Sequence, residues 1–82
     1  MLELPTKIQK EVFSYIAQYI QENGYAPILK EIQDKLGYES HSPIEEHIKK
    51  LVEKGYLTKR KSQPRGIQIT QAGKDYLAEY AA

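Results

Sequence analysis

GYESHSPIEEHIKKLVEKGYL, residues Gly37–Leu57, is the stretch whose reading decides the fold. Its middle is an amphipathic helix with a sharply marked start. In Ser42-Pro43-Ile44-Glu45 a hydroxyl residue at the N-cap is followed by proline at the first helical position and glutamate three residues after the cap. That combination satisfies the free N–H groups of a first turn, with Glu45 closing a capping box. Proline also disfavours helical geometry in the residue before it, which puts the boundary at Ser42. Ile44, Ile48, Leu51 and Val52 then recur at helical spacing until Gly55 ends the helix.

Upstream, Leu29, Ile32 and Leu36 share one face of a short helix that begins near Pro27 and stops at Gly37. Two helices joined by a glycine-led turn form a helix-turn-helix candidate. Further upstream, Thr6-Lys7-Ile8-Gln9 has the capping-box form, and Ile8, Val12, Tyr15, Ile16, Tyr19 and Ile20 continue it as a core helix from about Lys7 to Asn23, closed by Gly24.

Downstream, Tyr56–Lys61 reads as a strand, Ser62-Gln63-Pro64 as a turn, and Arg65–Thr70 as the partner strand, with Ile67 and Ile69 alternating around Gln68. A basic hairpin directly after a helix-turn-helix is a wing. Gln71–Tyr80, with Ala72, Tyr76, Leu77 and Tyr80 on roughly one face, adds a short terminal helix. The expected fold is therefore mainly α with a small β-hairpin: a winged helix-turn-helix of three helices, a two-stranded wing and a C-terminal helix.

Its 82 residues form a single domain, 1–82, and contain no cysteine, so neither disulfides nor a thiolate metal site hold it together. No apolar run approaches the ~18 residues of a membrane span and no secretory segment opens the chain, so a cytoplasmic protein is expected. The net charge of +1 conceals a dipole. Residues 49–65 sum to +6, residues 1–48 to −4 and residues 66–82 to −1. One concentrated basic segment is the electrostatic footprint of a nucleic-acid contact.

Four segments, TKIQKEVFSYIAQYIQENGYAP, KEIQDKLGY, EEHIKKLVEKGYL and PRGIQI, follow one another with spacing that resembles the N-terminal DNA-binding domain of the LexA repressor family. The resemblance covers about residues 4–70 and implies a winged helix-turn-helix that binds an operator in duplex DNA as a homodimer and represses transcription, in a bacterium or phage and at the nucleoid. It puts the base-reading positions on Ser40, Ser42, Pro43, Glu45 and Glu46, and backbone contacts on Thr6, Lys54 and the wing.

The chain departs from the family in three places. Ile28 stands where a hydroxyl residue usually follows the proline of the second helix. Ser42-Pro43 replaces Asn-Ala at the reading end, removing an amide that bonds adenine bidentately, so a different operator is expected. The self-cleaving serine–lysine protease domain of the family is absent from these residues. The chain is then either an excised domain or a stand-alone regulator, and the tail ITQAGKDYLAEY points to the latter.

The individual residues carry competing readings. Glu45 and Glu46 suit a first helical turn electrostatically and stand four residues before Lys49 and Lys50. A carboxylate there can also accept from cytosine N4, and Glu46 is the better placed if Glu45 caps the helix. His41, in the exposed turn, joins the base-reading set, and His47 is a core-edge or phosphate-contacting residue. The two histidines lack the convergent third ligand of a zinc site, and no catalytic constellation is present. Neither an enzyme, a metal, a cofactor nor a small-molecule ligand is expected.

Candidate phosphate contacts are Thr6, Lys49, Lys50, Lys54 and, in the wing, Lys59, Arg60, Lys61 and Arg65. Tyr15, Tyr19, Tyr25, Tyr38 and Tyr56 are expected to wedge the core with their hydroxyls at the surface. Tyr76, Leu77 and Tyr80, within residues 71–82, form a candidate dimer surface, with packing onto the first helix as the alternative. The leading function is sequence-specific duplex binding by a repressor. The alternative is a winged-helix protein-interaction module that does not bind DNA.

Overall fold

The computed structural model describes residues 3–80, Tyr80 by its backbone alone. The chain runs α1 (Lys7–Asn23), α2 (Leu29–Leu36), α3 (Ser42–Glu53), β1 (Leu57–Lys59), β2 (Ile67–Ile69) and α4 (Gln71–Tyr80). This is the winged helix-turn-helix expected from the sequence. α1 and α3 cross in the core, α2 packs against both, and the antiparallel β-hairpin pairs Leu57 with Ile69 and Lys59 with Ile67.

α1 begins with both halves of its capping box. Thr6 Oγ1 accepts the Gln9 N–H at 3.3 Å, and Gln9 Oε1 accepts the Thr6 N–H at 3.1 Å. Its buried face is rotated by one residue from the expected stripe. Ile8 stays 45% exposed, while Gln9, Val12, Phe13 and Ile16 point inward. Gln9 tolerates burial because its amide oxygen is doubly bonded, to Thr6 and to Lys54.

α3 begins one residue earlier than expected. His41 occupies the N-cap with helical backbone angles, φ −76° and ψ −26°, and its carbonyl accepts the Glu45 N–H at 2.9 Å. Ser42 is thus the first helical residue rather than the cap, and Glu45 closes no capping box. Pro43 still fits, because a first-turn N–H has no intrahelical partner to lose. The other end is as the glycine predicted. Gly55 adopts φ +89°, its N–H donates to the Val52 carbonyl at 3.0 Å, and the Tyr56 N–H reaches back to Leu51 at 3.0 Å. Those two bonds make a Schellman closure, and they turn the chain directly into β1.

The strands are shorter than the sequence suggests, because residues 60–66 make their own loop. Ser62 takes φ +65°, and the Gly66 N–H donates to the Gln63 carbonyl at 3.1 Å rather than to a strand partner.

Thr70 then caps α4: its Oγ1 accepts the Gly73 N–H at 3.0 Å and donates to the Gly55 carbonyl at 2.6 Å. Gly73 lies so close to the chain that a Cβ there would run into the Tyr56 carbonyl and stand 2.7 Å from Ile69 Cγ2. The Thr-x-x-Gly spacing therefore lets α4 dock on the hairpin. Docking brings Tyr76 onto Phe13 and Tyr56, with ring centroids 5.8 and 5.4 Å away.

For Tyr76 this favours the alternative to a dimer surface, packing onto the first helix. Tyr76 is buried at 8% exposure, so its apolar area is used within the chain, while Leu77 is half-buried against the core. The side chain of Tyr80 lies outside the described residues, as do residues 81 and 82.

Candidate nucleic-acid interface

The turn and the first turn of α3 stand out from the body of the fold. Ser40, His41, Ser42, Glu45 and Glu46 are exposed, and Pro43 is half-buried. Because neither Ser42 nor Glu45 is used as a cap, the expected division of labour between the two glutamates disappears. Both carboxylates are without a hydrogen bond or ion pair among the described residues. Among these pairs Lys50 meets Glu53 at 3.6 Å rather than Glu46, an exposed contact of little energetic weight. Lys49 stays unpaired among the described residues, leaving its charge available.

Beside this end of α3 lies a groove of about 880 Å³. Its apolar floor comes from Ile28, Leu29, Ile48, Val52 and Ile67. Lys49 and Glu45 border it on the α3 side, and Lys59, Arg60 and Lys61 on the wing side. All three wing cations are exposed and make no ion pair among the described residues. The exposed end of α3 and a free cationic wing thus flank one cleft, an arrangement suited to a polyanion whose grooves and backbone are gripped together.

Four of the expected phosphate residues have intramolecular partners. Besides Lys50, Thr6 caps α1. Lys54 Nζ donates to Gln9 Oε1 at 2.6 Å and to the Leu4 carbonyl at 3.1 Å, joining the end of α3 to the start of α1.

Arg65 is the most heavily committed. Its guanidinium pairs with Glu31 through two bonds, Nη1–Oε1 at 3.0 Å and Nη2–Oε2 at 3.3 Å. It also donates to the Ala26 carbonyl at 2.8 Å and to Tyr19 Oη at 3.4 Å, and it stacks 4.6 Å from the Tyr25 ring centroid. It is unlike its neighbours in the wing, whose charges point to solvent.

Glu31 is the hub of that cluster and was not singled out by the sequence. Its carboxylate also accepts the Ile28 N–H at 2.9 Å, half of a capping box at the start of α2, and the Tyr19 hydroxyl at 2.9 Å. The Ile28 side chain has no acceptor, so Glu31 supplies the side-chain half of the cap at that helix end. The Arg65 bond first, and then the Ile28 N–H, hold the Glu31 carboxyl below the usual carboxylate range, while Glu31 raises Arg65 in return. The one local sequence signal for Glu31 was its place three residues into α2.

The tyrosines divide in the same way. Tyr15, Tyr19 and Tyr25 form an edge-to-face row on the α1–α2 side, with Tyr25 49% exposed. Tyr56 is buried, its hydroxyl donating to the Glu3 carbonyl at 2.6 Å. His47 sits at the core edge against Tyr38, with centroids 6.3 Å apart. Among the described residues no three His, Asp or Glu side chains gather as a metal site, and no helix is long and apolar enough to cross a membrane.

A family model for the LexA DNA binding domain matches residues 1–66. The chain belongs to this family. The LexA repressor of Limosilactobacillus reuteri (strain DSM 20016) is 38% identical over 77 residues, covering 94% of this chain and 37% of that protein. The LexA repressor of Staphylococcus aureus (strain USA300) is 41% identical over 64 residues, covering 78% of this chain and 31% of the repressor. The chain therefore spans about a third of the length of these LexA relatives. The family match ends at residue 66, just before β2, so the second wing strand, Thr70–Gly73 and the docking of α4 lie beyond it.

Proposed function

We propose that this chain is a non-enzymatic transcriptional repressor that binds double-stranded DNA sequence-specifically. α3 enters the major groove with Ser40, His41, Ser42, Pro43, Glu45 and Glu46 at the base edges. Lys59, Arg60 and Lys61 of the wing hold flanking phosphates, with Lys49 contributing from α3. The observation that carries this reading is a LexA-family helix end, with two unpaired carboxylates, across one cleft from three unpaired wing cations.

A single module of this size covers about 600–1,000 Å² at a DNA interface, so a homodimer on two half-sites, about 10 base pairs apart or a multiple of that, supplies the affinity. The protein then resides where its operator does, at the nucleoid.

Titration of mixed-sequence and selected duplexes at several salt concentrations tests the reading. Affinity should fall steeply with salt. Lys59→Ala and Arg60→Ala should each flatten the log–log slope by about 0.9. Binding that is undetectable at low salt would instead favour a protein-interaction module.

A further inference from the structure

Arg65 lies in the loop of the wing, just before β2, yet every strong contact it makes among the described residues is to the α1–α2 side of the fold. Its planar fork meets both oxygens of Glu31, one donor reaches the Ala26 carbonyl at 2.8 Å, and Tyr25 covers its face. Glu31 in turn is fixed to the start of α2 through the Ile28 N–H and to α1 through the Tyr19 hydroxyl. The β-hairpin itself is only three residues long on each strand and pairs with no further strand. Leu57 and Ile67 seat its strands in the core, but a ribbon that short does not by itself fix the angle of the loop beyond them. The Arg65–Glu31 pair is a second anchor for the wing, on the loop side of β2.

We infer that Arg65 and Glu31 are positioning residues for DNA binding: they set the wing's angle to α3, so that Lys59, Arg60 and Lys61 meet phosphates while α3 occupies the groove. The inference rests on the proposed function. It makes Arg65 a cation that strengthens DNA binding without touching DNA, and Glu31 an acid that strengthens the binding of a polyanion.

That second statement has a sign that separates it from simple electrostatics. If Glu31 acts only through its field, Glu31→Gln removes a repulsive charge, so binding tightens or stays unchanged. If it positions the wing, Glu31→Gln weakens binding, because glutamine retains the cap on Ile28 but gives up the ionic fork with Arg65. The salt slope provides a second separation. Loss of one direct phosphate contact lowers it by about 0.9, whereas a wing that swings free gives up three and lowers it by up to about 2.7.

The experiment is a salt-dependent titration of one selected duplex with the unaltered chain, Glu31→Gln, Arg65→Lys and the double variant. Circular dichroism at each salt concentration verifies that every sample is folded. Positioning predicts weaker binding by Glu31→Gln, a slope reduced by more than one unit, and a double variant no worse than the poorer single variant. Arg65→Lys should also be impaired, because an ammonium cannot reproduce the two-pronged pairing.

Tyr19→Phe, which removes a single hydroxyl from the cluster, covers the case in which the charge variants fail to fold, and should flatten the slope in the same direction. Glu31→Gln and Tyr19→Phe binding with unchanged affinity and slope, with or without a lower melting temperature, would overturn the inference alone. An unchanged slope in Arg65→Lys, which keeps the cation, with Glu31→Gln unaffected, would leave Arg65 as no more than a phosphate contact and overturn it as well. If the unaltered chain shows no salt-dependent binding, the proposed function falls and takes this inference with it.

Discussion

Lys54 Nζ lies 2.6 Å from Gln9 Oε1, joining residues 45 positions apart at the crossing of α1 and α3. Gln9 is buried, and the same oxygen accepts the N-cap amide of α1, so the lysine supports a polar group that would otherwise lose half its partners. Lys54→Ala should therefore lower the stability to urea by about 1 kcal/mol, the usual net worth of such a bond. The salt slope for DNA should change much less than it does for a wing lysine. A full unit of lost slope with unchanged stability would assign Lys54 to the phosphate backbone instead.

Gly73 is the position at which α4 comes closest to the hairpin. Any Cβ meets the Tyr56 carbonyl, and neither backbone has room to give, since Thr70 bonds both Gly55 and Gly73. Gly73→Ala should cost about 2–3 kcal/mol, an overpacking penalty, and should expose Tyr76 to solvent. A melting temperature equal to that of the unaltered chain would mean that α4 does not hold this position in solution.

Tyr76 offers a related test. As a member of the Phe13–Tyr56–Tyr76 ring cluster it should behave as core, with Tyr76→Ala losing about 3 kcal/mol. If Tyr76 were a contact between copies, the same substitution would leave the monomer's stability intact and change the sedimentation coefficient instead.

The Glu31 carboxyl lies below its ordinary pKa, chiefly because Arg65 bonds its charged form. A depressed folded-state pKa contributes stability that is complete above the unfolded-state value and is lost as pH falls through the folded one. Stability to urea should hence decline on acidification from the ordinary carboxylate range downward. Arg65→Ala should flatten that acid limb while leaving the shape of the neutral plateau unchanged. Parallel acid limbs in the two proteins would show that other carboxylates govern the decline.

Helix positions were legible because caps and periodicity are local. Thr6-Lys7-Ile8-Gln9 forms its box, Gly24, Gly37 and Gly55 take left-handed angles at helix ends, and Ile44, Ile48 and Leu51 are fully inside. The errors came where two local rules gave the same pattern or where the partner was distant. On α1, Ile8 and Gln9 compete for one inward position, and the polar residue takes it because Lys54 and Thr6 satisfy its amide oxygen. The serine–proline step pointed to a cap at Ser42, but Ser42 takes helical geometry and the cap falls on His41. Arg65 read as one more wing cation, because nothing near it in the chain announces a carboxylate 34 residues earlier.

The base-reading end of α3 gives the sharpest prediction about specificity. Glu45 and Glu46 occupy successive exposed positions, free of caps and ion pairs, so each pays only its own desolvation on entering the groove. Glu45 borders the cleft facing the wing, whereas Glu46 does not line it, so on the proposed reading the two carboxylates address different base pairs. A carboxylate in the major groove accepts from cytosine N4 and is repelled by the acceptor edges of guanine. Operators selected from a random duplex library should thus hold a cytosine opposite each carboxylate that is used. Glu46→Ala should relax selection at one such position, reducing discrimination by about 1–3 kcal/mol, and should raise affinity for unselected duplex. Glu45→Ala should relax a different position. Two variants that select the same operator as the unaltered chain would remove both glutamates from the reading set and leave specificity to Ser40, His41 and Ser42.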